Sequence, residues 1–198
     1  MRALRQVPSI GSIILALEGV DAAACLSAID RPDQLDVRVT PTFSNRWPAI
    51  AAALRMEPSP STVLLHEPER PLLTPVTLQA LLGALQSDGA MLGVAVHETI
   101  KRVVGNRIVG TIPRETIHAV QLPCVFRRQS LSAAVARAID EHWTCADELQ
   151  LAREAGLEIH LVGGQRNNLP IQSTRDARFA ELRSFAASVV LDAAQAAS

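Results

Sequence analysis

The sequence predicts an α/β fold in which a doubly wound, mainly parallel sheet carries a projecting β-arm. Three observations predict it. Short apolar runs rich in β-branched residues alternate with helix-like segments over most of the chain, the pattern of a parallel sheet covered on both faces. The stretch 97–120 breaks that alternation with two β-rich pieces too polar for a core, which reads as an arm. The chain has 198 residues, 48 % hydrophobic and 20 % charged, enough for one globular domain spanning 1–198 with one sizeable core.

Residues 1–8 place Met1, Leu4 and Val7 on one helical face before Pro8. Ile13 to Leu17 read as a buried strand, Asp21 to Ile29 as an Ala-rich helix, and Leu35 to Thr40 as a second strand. Ser44 is the expected N-cap of a helix over 47–56, with Pro48 in its first turn. Thr62 to His66 form the next strand, and Thr74 with Pro75 opens a helix carrying Leu78, Leu81, Leu82 and Leu85. Ser87-Asp88-Gly89 closes that helix, and Ala90 to Val96 form a buried strand. Ile100–Val104 and Arg107–Ile112 flank Gly105-Asn106, a hairpin pattern, within an arm over about 99–121. Helices follow at 128–139 and 146–155, the second capped by Gly156. Leu157 to Val162 is a strand, Thr174 caps a closing helix, and an Ala-rich tail frays from Ala186.

Composition removes several function classes. A net charge of −1 leaves no basic footprint for nucleic acid, and aromatic residues at 3 % leave no base-stacking surface. No apolar run reaches membrane-spanning length. Three widely spaced cysteines, Cys25, Cys124 and Cys145, match neither a disulfide framework nor a zinc site and suit a reducing cytoplasm. The five histidines lack metal-ligand spacing, and no P-loop, dinucleotide fingerprint or nucleophile elbow is present.

What remains is polar residues at the ends of apolar runs. Glu67 and Arg70 follow the strand at 63–66, and His97, Glu98, Thr99, Lys101 and Arg102 follow the strand at 90–96. Arg46 opens a helix and Arg114 ends the arm. Ligands meet an open α/β sheet at the carboxyl ends of its strands. Guanidinium groups pair bidentately with phosphate, and one carboxylate suffices for Mg²⁺ when phosphates and water complete its shell. This set therefore suits a phosphorylated substrate and a divalent metal. The plainer reading, solvated strand ends closed by charged proline turns, stays open on composition alone.

At these residues the chain resembles the 2-C-methyl-D-erythritol 4-phosphate cytidylyltransferase family. Val63-Leu64-Leu65-His66-Glu67-Pro68-Glu69-Arg70-Pro71 is similar to the family's V-L-[VI]-H-D-A-A-R-P, and Val96-His97-Glu98-Thr99-Ile100-Lys101 to its V-x-D-T-[IL]-K. Thr111-Ile112-Pro113-Arg114 resembles T-[VL]-[DP]-R, and Gln121-Leu122-Pro123-Cys124-Val125-Phe126 resembles Q-T-P-Q-x-F. Ala146-Asp147-Glu148 stands at T-D-[DE], Gly163 to Pro170 resembles G-x-x-x-N-[IL]-K, and Thr174-Arg175-Asp176 the following T-x-x-D. The order and spacing hold from about residue 10 to 183.

The resemblance implies a Rossmann-like domain that transfers CMP from CTP to a sugar-alcohol phosphate in isoprenoid biosynthesis. It implies Arg46 at the nucleotide, Glu67 as the nucleotide-side Mg²⁺ ligand, and Arg70, Thr99 and Arg114 as the catalytic, substrate-side residues. Thr99 and Arg114 would reach across a homodimer formed through the arm. Three departures accompany it. The family's first strand and P-A-A-G-x-G-x-R loop have no counterpart, so a start further upstream or another segment filling the gap is expected. Asp-Ala-Ala has become Glu67-Pro68-Glu69, and the lysine of N-[IL]-K is Pro170. Alternatives are therefore an inactive member acting as a binding or regulatory partner, and a nucleotidyltransferase for another alditol phosphate, for which Cys145 and Ala146 leave room.

Overall fold

The computed structural model describes residues 2–16, 36–40, 45–178 and 180. A single helical turn, α1 (Arg2–Arg5), leads to β1 (Ser12–Leu15), which pairs in parallel with β2 (Asp36–Val39). The helix expected at 21–29, Ser44 and the Ala-rich tail lie outside the described residues. Helix α2 (Arg46–Met56) is capped by Asn45, whose Oδ1 accepts from the Trp47 N–H at 3.1 Å. The cap is thus one residue later than the expected Ser44, with Asn45 in extended backbone and its oxygen over the first turn.

β3 (Thr62–Leu65) precedes α3 (Pro75–Gly83), which Thr74 caps with Pro75 in the first turn as expected. The helix ends at Gly83, and Ser87-Asp88 belong to the entry of β4 (Gly89–Ala95). β5 (Ile100–Val104) and β6 (Arg107–Ile112) form the hairpin, with Gly105 at φ +56° in its turn. A 3₁₀ turn (Arg114–Thr116) leads into β7 (His118–Arg127), then α4 (Arg128–Asp140), α5 (Glu148–Ala155) and β8 (Ile159–Gly163). Asp147 caps α5, and Gly156 closes it at φ +74°. The described helical residues 174–178 are capped by Ser173 rather than Thr174. Its Oγ accepts from the Asp176 N–H at 3.2 Å.

The main sheet has the order β3-β7-β4-β8. β3, β4 and β8 share one direction and β7 runs against them. β7 corrects the expected arm boundary, since 118–121 are paired with β4 and do not project. The pairing slips between Met91↔Cys124 and Leu92↔Gln121, so Leu122 and Pro123 are extruded as a bulge. A proline lacks the N–H a ladder needs, and a bulge is one of the places where a strand tolerates it.

Helices cover both faces. Met91, Cys124 and Phe126 point toward Trp47, Leu54, Leu131, Val135 and Leu151 of α2, α4 and α5. Ala90, Leu92 and Val125, one residue out of phase, point toward Leu78 and Leu81 of α3 and toward Leu4 and Val7. Each fully buried Leu or Phe contributes about 1.5–3 kcal/mol, so these two layers fix the sheet and aim its carboxyl ends at one edge. Ile13 of β1 and Leu64 of β3 pack on the same cluster, although β1 and β3 pair with no common strand among the described residues. No helix among these residues is long and apolar enough to cross a membrane.

Candidate functional site

The carboxyl ends of β3, β4 and β8 converge on three polar groups. The first is built on Arg46. As the opening residue of α2 it extends its guanidinium toward the end of β3, where Nη2 donates to Glu67 Oε1 at 3.2 Å. Nη1 donates to Glu148 Oε1 at 3.0 Å. One cation thus spans two carboxylates, one half-exposed and one buried. Burial pushes the Glu148 carboxyl up from its usual value and Arg46 opposes that rise. The neighbouring Cys124 thiol is held far above its ordinary value, chiefly by burial, and so is an inert packing group.

The second group joins the turn after β3 to the loop after β8. Arg70 N–H donates to the Glu67 carbonyl at 3.2 Å, and Arg70 Nη1 donates to the Asn168 carbonyl at 2.7 Å. Arg70 Nε is buried with no partner among the described residues. Asn168 is fully buried and its Nδ2 donates to the Leu122 carbonyl at 2.9 Å. Gln121 completes the frame, its Nε2 donating to the Gln165 carbonyl at 2.9 Å and its Oε1 accepting from the Gln165 N–H at 3.1 Å. Burial lowers the His66 pKa to about 4, so this imidazole is neutral near pH 7 and the corner's positive charge comes from Arg46 and Arg70.

The third group stands at the base of the arm. Arg114 Nη1 donates to the His97 carbonyl at 2.5 Å, and Arg166 contacts the His97 ring. Thr99 is exposed just before β5. Of the expected site residues, Arg46 and Glu67 are brought into contact and Arg70 lies on the same turn as Glu67. Thr99 and Arg114 share no hydrogen bond or ion pair with those three among the described residues. Residue reading missed Glu148 and Asn168 as site members. Both sat in quoted motif positions, and that was the available signal.

Comparison with known proteins bears on what this edge is for. The sequence profile of the 2-C-methyl-D-erythritol 4-phosphate cytidylyltransferase (IspD) family matches residues 1–183. The chain belongs to this family. A relative named for that activity in Acidobacterium capsulatum is 30 % identical over 188 residues, covering 91 % of this chain and 79 % of the relative. One in Deinococcus radiodurans is 35 % identical over 121 residues, covering 61 % of this chain and 52 % of the relative. Among solved structures, the 4-diphosphocytidyl-2C-methyl-D-erythritol synthase of Anaerococcus prevotii superposes with a TM-score of 0.81 at 19 % identity, over 92 % of this chain and 85 % of that one. The family's cytidylyltransferase from Thermus thermophilus superposes at 0.74 with 24 % identity, over 92 % and 85 %. These two share the Rossmann-like α/β fold. Family membership places the chain among the cytidylyltransferases by descent, and ligands meet an open α/β sheet at the carboxyl ends of its strands.

The family's metal can be tested against the residues here. No group of three or more His, Cys, Asp and Glu is gathered among the described residues. Glu67 is nevertheless a half-exposed carboxylate at the end of β3, engaged among the described residues through Oε1. That fits Mg²⁺, which takes one or two protein carboxylates and fills its octahedron with phosphate oxygens and water.

Proposed function

We propose that the chain transfers CMP from CTP to 2-C-methyl-D-erythritol 4-phosphate in isoprenoid biosynthesis. In the reaction a phosphate oxygen of the acceptor attacks the α-phosphorus of CTP in line. One P–O bond forms, the bond to the β-phosphate bridge breaks, and pyrophosphate leaves with the electron pair. The observation that carries this reading is the Arg46–Glu67 pair at the carboxyl end of β3, in a chain matched to the family over residues 1–183. Arg46 binds and orients the anionic nucleotide. Arg70, pinned at the same turn, holds the acceptor phosphate, and Thr99 and Arg114 complete that side from the arm of a second copy. Glu67 would hold Mg²⁺, which when bound neutralises triphosphate charge. Preorganised cations then serve the charge that develops at the transferred phosphorus, with no covalent intermediate.

The test is incubation of the chain with CTP, Mg²⁺ and the erythritol phosphate, with pyrophosphate as readout. Release above the no-enzyme rate is expected, and none removes the enzymatic reading. A second reading, a non-catalytic binding or regulatory partner, is favoured by Pro68, Glu69 and Pro170. Glu69 carries a further negative charge, and its carbonyl accepts from Ile171 N–H at 2.7 Å, so the two altered segments are tied together. Calorimetric titration with CTP separates the readings, because this one predicts no metal-dependent affinity. A panel of other alditol phosphates tests the third possibility, that Cys145 and Ala146 serve a different acceptor.

A further inference from the structure

We propose that Glu148 is a positioning residue that holds the Arg46 guanidinium for the anionic nucleotide. The inference rests on the reading above for Arg46 and adds a residue to it. An arginine on a first helical turn has a long stem whose rotamers cost about 2 kcal/mol to order. Arg46 is 40 % exposed, so packing alone does not order it. Its two terminal nitrogens meet different surroundings. Nη1 is bound at 3.0 Å by Glu148, whose side chain is 8 % exposed, and Nη2 faces Glu67, which is 39 % exposed.

Glu148 is itself held. It is the first residue of α5, directly after the Asp147 cap, and one turn later Leu151 is fully buried in the core under α2 and α4. A carboxylate at a helix amino terminus also has the dipole in its favour. The inner half of the fork is therefore fixed by a group that solvent cannot compete with, while the outer half is exchangeable. When Glu67 turns to a cation, the Arg46 N–H groups on that side face the incoming phosphate, and the inner bond keeps them there. An ion pair that only tied α2 to α5 would need neither this asymmetry nor a half-exposed cation at the strand ends.

The experiment compares wild type with Glu148→Gln, which keeps shape and an acceptor but removes the charge. In ligand-free protein, side-chain ¹⁵N spectra should show hindered Cζ–Nη rotation for Arg46 that Glu148→Gln releases. CTP affinity should fall about tenfold, the equivalent of one charge-assisted hydrogen bond. Adding Glu148→Gln to Arg46→Ala should weaken binding no further than Arg46→Ala alone. Unchanged Arg46 spectra in Glu148→Gln overturn the proposal, as does released rotation with unchanged CTP affinity. Hindered rotation in a wild-type chain that binds no CTP would uphold the clamp and remove the nucleotide reading, so the two failures are separable. A drop in thermal stability with no change in CTP affinity would leave only a structural pair and also overturn it.

Discussion

Arg70 and Asn168, ninety-eight positions apart, are joined by a 2.7 Å hydrogen bond from Nη1 to the main-chain carbonyl. The bond makes the end of β3 and the loop after β8 one unit, and Asn168 anchors that unit by donating to the Leu122 carbonyl inside the β7 bulge. Asn168→Ala leaves that buried carbonyl unpaired and opens space beside it. Such a loss costs about 1–3 kcal/mol, and urea unfolding should show it as a lower midpoint with an unchanged slope. The main-chain carbonyl under Arg70 survives in this variant, but the loop that carries it loses its anchor to Leu122, so the Michaelis constant for the acceptor phosphate should rise. A midpoint within error of wild type would refute the anchoring role.

Asp88 does the equivalent work at the opposite end of the sheet. Its Oδ1 accepts from Ser130 Oγ at 2.6 Å and its Oδ2 from the Glu158 N–H at 3.0 Å, linking the starts of β4 and α4 to the entry of β8. The Ser130 bond, followed by the Glu158 bond, holds the carboxyl below its ordinary value of 3.8. A carboxyl with a lower pKa folded than unfolded stabilises the fold above the unfolded value, and that contribution disappears as pH falls through the folded one. Asp88→Ala should therefore lower stability near neutral pH, where the two hydrogen bonds to the ionised carboxylate are lost. The gap to wild type should close below pH 4 in unfolding curves. A gap independent of pH would show that the charge is irrelevant.

These relationships also mark what could be read from residues alone. The alternation of apolar runs with amphipathic helices is a local property, and it located most of the elements to within a few residues. β7 was not legible because Pro123 argues against a central strand, and only its register against Met91 and Leu92 reveals the bulge that accommodates it. The Asn45 and Ser173 caps lie beside Ser44 and Thr174, which are equally good capping residue types, so residue type alone does not choose between neighbours. Glu67 and Arg46 were legible as strand-end and helix-start charges. Glu148 was not, since its burial against α2 is tertiary, and a glutamate opening an amphipathic helix ordinarily faces water.

Gly89 tests how tightly β4 is held between its neighbours. A Cβ there would lie 2.9 Å from the Val125 carbonyl oxygen, 2.9 Å from Phe126 Cδ1 and 2.8 Å from Ile159 Cδ1. Backbone and a fully buried ring cannot move aside without disturbing the layer under α4. Gly89→Ala should destabilise by about 1–3 kcal/mol through overpacking, seen as a lower thermal midpoint. Gly83→Ala, where nothing lies within 4 Å of the new methyl, is the control and should not destabilise.

The arm carries apolar side chains that nothing among the described residues covers. Val104 and Ile108 are 66 % and 69 % exposed. An isolated two-stranded hairpin is marginally stable in water, so a second copy covering it would serve both arms. Wild type should elute and scatter light as a dimer, and Val104→Lys with Ile108→Lys should give a folded monomer of unchanged far-ultraviolet dichroism. A monomeric wild type would remove the proposed contribution of Thr99 and Arg114 to a neighbouring site.

Glu67 offers the most direct probe of the metal. Its carboxylate is shared with Arg46 through one oxygen, so a divalent cation held there would compete with the guanidinium for it. Glu67→Gln keeps the hydrogen bond to Arg46 and weakens the attraction for a divalent ion. Pyrophosphate release at saturating CTP should then fall by about 10²–10³-fold, the loss typical of one electrostatic group at a transferring centre. The Mg²⁺ concentration for half-maximal rate should rise, while stability changes little because the side chain is half exposed. Chelation should abolish activity in wild type and restore on adding Mg²⁺. If Glu67→Gln kept the wild-type Mg²⁺ dependence, the metal would have to be held by the substrate phosphates alone, and Glu67 would be left with one task, partnering Arg46 in the absence of nucleotide.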